Sequence, residues 1–409
     1  MILQIKQVID GLRYNLKLRG LKTPLFQHRI IDPESISKKS QNREQIEFNE
    51  DSQFFLETQA RLIDKKWGNR NPTFINYKQL NPETLSNKFK IFTSSPDIQI
   101  LKNVIYLPQY SCLYSQEGFR INESCLYRGS DLTNNHRIIT KAPAKIHLPQ
   151  NLKRISQPSI YVGEISILNS HHGHFLTESI SRLWYAQKNK NHPIICHITG
   201  KHRAFIEYFF EMANLEIDRV IAFSKPVLLE TVILPNPSFV NTAKAFEIHK
   251  LLPEIVAKNC LQSSVPTTSQ PLYFSRRKLA KNLRLISNEF EFESKLQESG
   301  VAIAYPEELS LEQQIYLVNK HQVIMGCMGS ALHNIFFDLS SDRNLVVLGD
   351  DTKINLNYFT IDAIKSVNSV YISALQKDPK CTKRTYECFH DRVIDVESTL
   401  LALRKLNLI

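Results

Sequence analysis

Two short stretches of the sequence hold residue types that could do chemistry. In the first, Asn169-Ser170-His171-His172-Gly173-His174-Phe175-Leu176-Thr177-Glu178, an imidazole and a carboxylate stand four apart at His174 and Glu178. That spacing brings two side chains together on one face of a helix. A histidine oriented by a carboxylate is an acid/base pair able to take a hydroxyl proton. Three histidines in four residues also suit a metal, although no partner set of recognised ligand spacing accompanies them. Structural capping of a helix start is a third reading, fitting His171 and His172 better than His174. Ser179 and Ser181 lack the G-x-S-x-G elbow of a serine hydrolase.

The second stretch is Val323 to Phe337, VIMGCMGSALHNIFF, where an apolar run empties into glycine and small residues that open a helix. Backbone amides at such a turn can face an anion. Glycine is scarce, 12 of 409 residues against a usual share of about 7%, yet Gly326 and Gly329 sit three apart here. A tight strand-to-helix connection without a ligand is the plainer alternative. Upstream, Leu272-Tyr273-Phe274 is followed by Arg276, Arg277, Lys278, Lys281 and Arg284 with no carboxylate among them. Most charge runs are solvated loops. In an open parallel sheet, however, loops at the carboxyl ends of the strands converge on one crevice, where Arg276 and Arg284 could meet the glycine turn. The planar fork of arginine suits a diphosphate.

The elements that must position these residues alternate. Ile98–Leu107, Ile160–Leu168, Ile194–Ile198 and Val227–Leu234 read as strands with helical text between several of them. On the helix that should reach Gln187, the line His174, Glu178, Arg182 opposes Leu176, Ile180, Leu183 and Trp184, so the polar line is expected away from the core. Leu261 to Pro271, LQSSVPTTSQP, reads as a linker. Beyond it, strands near Leu272, at Val301–Ala304, Val323–Met325, Leu345–Leu348 and Val370–Ile372 alternate with helices at Asn288–Glu298, Leu311–Asn319, from Ser330, and at Val396–Leu406, the pattern of a doubly wound parallel sheet. The expected organisation is α/β, with residues 1–95 as an N-terminal helical and irregular extension packed on the first domain, 96–260 as a first Rossmann-like domain and 271–409 as a second, facing each other across a cleft.

The chain of 409 residues carries a net charge of +11, which favours anionic partners without choosing among nucleotide, lipid headgroup and nucleic acid. No zinc-finger spacing, RNA-recognition pattern or long basic tract supports nucleic acid. Seven cysteines without a C-x-x-C pair suit reduced thiols. No run approaches the roughly 20 apolar residues of a membrane span, and the N-terminus lacks the pattern of a signal peptide, so the expected address is the cytosol. Ile2, Ile5, Ile9, Leu12 and Leu16 recur at helical spacing among Lys6, Arg13, Lys17, Arg19 and Lys22. This basic amphipathic pattern suits peripheral contact with an anionic membrane through residues 1–22, or packing against the protein's own core.

Taken in order, the His174 element, the Ser275-Arg276 strand end, Arg284-Leu285-Ile286-Ser287-Asn288-Glu289, Pro306-Glu307-Glu308-Leu309-Ser310 to Gln314, and Gly326 to Phe337 resemble glycosyltransferase family 61, over about Ile160 to Leu348. The resemblance implies a GT-B architecture and an inverting, metal-independent transfer of sugar from a nucleotide-diphosphate donor, UDP-linked first among the options, to a glycan hydroxyl. Bacterial capsule and surface polysaccharide synthesis is the implied setting. It places Arg276, Arg284, Asn288, Glu307, Gly329, Ser330 and Asn334 at the donor and His174 with Glu178 at the acceptor, with no metal and no bound cofactor. His174 is expected as the base and Glu178 as its orienting partner, with Glu178 itself as the alternative base. The absence of Asp-x-Asp agrees with metal-independent chemistry. Where relatives often carry His before the second glycine, this chain has Met328. His333 is a possible substitute for that imidazole. A metal-dependent phosphodiesterase built on the histidines and a non-catalytic assembly protein are the rival functions.

Overall fold

The computed structural model describes residues 73–75, 77, 89–129, 136–138, 140–166, 172–199, 203–279, 285–340, 342–350, 354–379 and 392–409. The amphipathic stretch at residues 1–22, like His171 and Arg284, lies outside them. Among the described residues no helix is long and apolar enough to cross a membrane.

The described strands are β1 (Thr73–Ile75), β2 (Lys90–Phe92), β3 (Ile98–Leu107), β4 (Cys112–Tyr114), β5 (Tyr127–Gly129), β6 (His136–Ile138), β7 (Lys153–Ile155), β8 (Ser159–Ser166), β9 (Ile194–Thr199), β10 (Val220–Ile221), β11 (Val227–Pro235), β12 (Phe239–Val240), β13 (Lys244–Phe246), β14 (Leu272–Phe274), β15 (Ala302–Ala304), β16 (Val323–Cys327), β17 (Asn344–Asp350), β18 (Asn368–Lys377) and β19 (Arg392–Ile394). Helices are α1 (Leu183–Lys188), α2 (Arg203–Met212), α3 (Leu251–Leu261), α4 (Glu289–Glu298), α5 (Leu311–Lys320), α6 (Leu356–Lys365) and α7 (Val396–Lys405). The molecule is a mixed α/β protein with parallel sheets and helices.

The first large sheet runs β10-β9-β8-β11-β3-β4, with β7 beside β11. Its β10, β9, β8 and β11 pair in parallel, whereas β11 with β3 and β3 with β4 are antiparallel. This half is therefore not uniformly parallel, as a Rossmann-like reading expects. The reason is local: β3 reaches β4 through one turn at Pro108–Tyr110, closed by Ser111 in the left-handed region at φ 48°. A parallel crossover needs a dozen or more residues.

The second sheet runs β15-β14-β16-β17-β18-β1 with every neighbour parallel, and β19 adds an antiparallel edge on β18. In chain order from β14 this is 2-1-3-4-5, which reverses between β14 and β16. Ligands of such sheets sit outside the carboxyl ends of the strands at that reversal. Burial of all five β16 residues is what a sheet covered on both faces requires. Helix α5 starts with a complete capping box, Ser310 Oγ accepting from the Gln313 amide at 3.2 Å and Gln313 Oε1 from the Ser310 amide at 2.8 Å.

One expectation needs correction for part of its span: of residues 1–95, expected to pack on the first domain, β1 instead extends the second sheet by pairing Thr73 to Ile75 with Val370 to Ile372, while β2 pairs with β13. An open strand edge on β18 accepts β1, and Phe74 stacks on Tyr371 with centroids 5.4 Å apart. The helix expected from Ser330 forms as a 3-10 helix, Ser330–Phe337.

One apolar cluster joins both sheets, taking in Ile160, Phe175 and Leu183 together with Leu272, Phe274, Ile324 and Val347. Phe336 packs edge-on to Phe239 at 6.2 Å, and the buried Lys365 pairs with Glu254 at 2.6 Å. The segment between α3 and β14 is thus not all that holds the halves in place.

Candidate active site

The turn His172–His174 runs into a π-helical turn, Phe175–Ser179, before α1 begins at Leu183. Hydroxyls cause the disruption, because Thr177 Oγ1 donates to the Gly173 carbonyl at 2.9 Å and Ser181 Oγ to the Glu178 carbonyl at 2.6 Å. Such back-bonding competes with the helical ladder, and π-turns of this kind recur at functional sites.

The expected pair survives this distortion. His174 Nδ1 lies 3.1 Å from Glu178 Oε2. Since a carboxylate only accepts, a hydrogen bond in this contact has Nδ1 as its donor, the arrangement that in a neutral ring leaves the lone pair on Nε2. The expected polar stripe does not survive, because Glu178 and Arg182 are buried, and Arg182 donates to the carbonyls of Pro235, Glu123 and Cys125. The π-turn shifts it out of line. Of the three, His174 alone keeps substantial exposure, 39% of its side chain.

Glu178 is held by partners from distant parts of the chain. Arg128, on β5, grips it with Nε 2.5 Å from Oε1 and Nη2 3.0 Å from Oε2, and its Nη2 also comes within 3.3 Å of His174 Nδ1. Asn241 Nδ2 donates to Oε1. Burial alone would raise the Glu178 pKa, but the hydrogen bonds and charges of His174 and Arg128 outweigh it and hold the carboxyl below its ordinary value. It is a carboxylate saturated with donors, better suited to orienting His174 than to acting as the base.

A depressed carboxyl contributes stability that is present above its unfolded pKa and lost as pH falls through the folded one. Glu178→Gln is accordingly expected to melt below the parent protein at neutral pH, with the two melting temperatures converging below about pH 4, near the reference carboxyl pKa. A gap of constant size across that range in scanning calorimetry would contradict the charged state.

Beside Asn241, Thr242 occupies the left-handed region at φ 63°, an unusual place for a β-branched residue. It is held there by its hydroxyl on the Gly129 carbonyl and by the Asn357 side chain, which accepts from its amide at 2.8 Å. Strain of this kind persists only where surrounding structure enforces it. Through Asn357 the cluster reaches α6, where Tyr358 donates to the Gly329 carbonyl at 2.6 Å.

On the second sheet, Arg276 follows β14 and Gly329 follows β16, the two strands flanking the reversal. The Arg276 guanidinium carbon lies 3.7 Å from where a Cβ on Gly329 would sit, and Nη1 donates to the Met328 carbonyl at 3.4 Å. Buried Glu289 accepts from the Arg276 amide at 2.9 Å. Gly326 serves packing instead, since a Cβ there would meet Leu332 at 3.1 Å and the Phe274 carbonyl at 3.2 Å. Met328 contributes its backbone to the turn, while its side chain lies beside Gly349.

The other expected donor residues divide. Ser330 is exposed at the head of the 3-10 turn, and Glu307 is exposed on the turn Pro306–Glu308, where Arg276 is among the charges acting on it. Asn288 is occupied elsewhere, its amide exchanging two hydrogen bonds with the Ile394 backbone at 2.9 and 2.8 Å. Asn334 is also engaged: its Oδ1 lies 2.6 Å from His172 Nε2, and its Nδ2 donates to Gln314 Oε1 at 2.6 Å. Gln314 in turn donates to the Pro306 and Leu309 carbonyls.

The His172 contact makes the halves meet at the site. Gly173 sits against the second half so closely that a Cβ would lie 2.6 Å from His333 Nδ1 and 3.2 Å from Ser330 Cβ. Two turns, His172–His174 and Ser330–Asn334, thereby form one joint. Burial keeps the His172 pKa below the usual imidazole value despite the Asn334 contact. Among the described residues no group of three or more His, Cys, Asp or Glu could hold a metal ion. Arg128 and Asn241 escape sequence reasoning, since they lie 50 and 63 residues from Glu178 and no local pattern marks them; Glu289 stands in the Arg284–Glu289 motif without an assigned role.

The family model Glycosyltransferase 61 matches residues 172–348, a span that opens at the His172 turn and closes at the end of the β17 apolar run. The chain resembles that family, and the match supports a glycosyltransferase. No curated protein matches the chain.

Proposed function

We propose that the protein is an inverting glycosyltransferase of GT-B type that moves a sugar from a nucleotide-diphosphate donor, UDP-linked first among candidates, to a glycan hydroxyl in capsule or surface polysaccharide synthesis. One observation carries the reading: the joint between the His172–His174 and Ser330–Asn334 turns sets a His-carboxylate pair beside an arginine-flanked glycine turn at the reversal of a parallel sheet.

In this reading the donor diphosphate lies against Gly329 and Ser330 with Arg276 neutralising its charge. His174 Nε2 takes the proton of the acceptor hydroxyl as its oxygen attacks the anomeric carbon. The bond to the diphosphate breaks on the opposite face, so the anomeric configuration inverts. Glu178, fixed by Arg128 and Asn241, stabilises the imidazolium that forms. The proton then leaves through the exposed edge of His174, and the nucleoside diphosphate departs. The proposed setting is cytoplasmic, with residues 1–22 able to hold the enzyme on an anionic membrane surface.

Two measurements test this. In a thermal-shift panel of UDP, GDP, CMP and their sugar conjugates, one nucleotide series should raise the melting temperature selectively, since a ligand of the native state stabilises by mass action. No shift from any member would remove the donor assignment. Transfer should also persist in excess EDTA, because cations rather than a metal are assigned to the diphosphate. Loss on chelation with recovery by a divalent ion would instead favour metal chemistry.

A further inference from the structure

The 3-10 turn buries a histidine whose ring nitrogens lack a full hydrogen-bond partner among the described residues. His333 is 7% exposed, and neither ring nitrogen completes a hydrogen bond, although the Gly173 backbone comes close to it. The ring stands edge-on to Tyr358 with centroids 5.1 Å apart. Burial first, then the neighbouring His172 and His174, pull its pKa down to about 3. A neutral imidazole carries one N–H donor and one lone pair, and buried polar groups are normally paired. An apolar ring of the same shape would fill this space without the unmet demand.

The geometry of the turn indicates where a partner belongs. Side chains at i and i+3 eclipse on a 3-10 helix, so Ser330 and His333 share one face. Both border the same position, the missing Cβ of Gly173, with Ser330 Cβ 3.2 Å and His333 Nδ1 2.6 Å from it. Ser330 is exposed above, and His333 lies beneath it against the residue that precedes His174.

We propose that His333 is a ligand-binding residue whose ring N–H hydrogen-bonds an oxygen of the bound nucleotide-sugar donor, beneath the exposed Ser330 where its turn meets the His172–His174 turn. This rests on the glycosyl-transfer reading of that joint. The oxygen belongs to the diphosphate or to the sugar, and binding measurements separate the two sources.

The test is calorimetry of wild type, His333→Phe, His333→Leu and His333→Gln with the tightest binder of the UDP, GDP and CMP series, with and without its sugar. His333→Phe should bind about tenfold more weakly while melting no lower than wild type, and His333→Gln, which restores an amide N–H, should recover most of the affinity. Loss with the bare nucleotide identifies a phosphate oxygen; loss with the sugar conjugate alone identifies a sugar hydroxyl. Either supports the inference. If His333→Phe fails to fold, His333→Leu takes its place in the comparison. Wild-type affinity in both apolar variants would overturn the inference and leave the transferase reading standing, as would equal weakening of all three with lowered melting temperatures, the mark of a packing role. A wild-type protein that binds no member of the series would fail the transferase reading, and this inference with it.

Discussion

His174→Ala is expected to lower kcat by about 10² to 10⁴ while leaving the dissociation constant of the nucleotide donor nearly unchanged, the range for losing general base catalysis. The expectation comes from three facts about one side chain. Its Nδ1 lies 3.1 Å from a carboxylate, its side chain is 39% exposed, and the carboxylate is itself held by Arg128 and Asn241. The imidazole is therefore oriented by its carboxylate. Because no buried partner of Glu178 is removed other than this exposed ring, the fold should persist, which circular dichroism would verify. Near-normal turnover in His174→Ala would force the base to be sought elsewhere, and a collapse of the melting temperature would make the residue structural.

Arg276→Ala is expected to weaken nucleoside-diphosphate binding by about 10- to 100-fold, the loss of one charge-assisted contact worth about 1.5 to 3 kcal/mol. Arg276 differs from its neighbour Arg277 in a way that makes this specific. Arg277 is engaged by Glu293 at 3.0 Å and by the Tyr305 hydroxyl at 2.9 Å, over the rings of Phe290 and Tyr305. The Arg276 side chain donates to the Met328 carbonyl at 3.4 Å, with its guanidinium beside Gly329, and pairs with no carboxylate at ion-pair distance among the described residues. Arg276→Lys should recover part of the loss, since it restores charge without the planar fork. Equal affinity in wild type and Arg276→Ala, measured by calorimetry, would clear Arg276 of the donor.

Much of the second half was legible because its elements are short, periodic and alternating. The helix expected at Leu311–Asn319 forms at Leu311–Lys320, and the strand expected at Val323–Met325 forms at Val323–Cys327. Local chemistry decides such elements: a capping box starts one, and a fully apolar run suits the other. The His174–Glu178 contact was legible for the same reason, since four residues along a helical turn bring two side chains together. It persists through a π-turn that no local signal announced.

What the amino-acid sequence determined by itself was the set of parts: alternating strands and helices, a histidine four residues before a glutamate, and a glycine turn near a run of cations. Tertiary structure alone decided which parts meet. Arg128 and Asn241 converge on Glu178 from 50 and 63 residues away, Asn288 bonds the Ile394 backbone, Asn334 meets His172, and β1 joins the far sheet. The physical reason is that periodicity and capping act within a turn or two of chain, whereas burying a carboxylate creates a demand for donors that any segment brought near by the common core can meet. Local signals specify each element. The need to satisfy what is buried specifies the site.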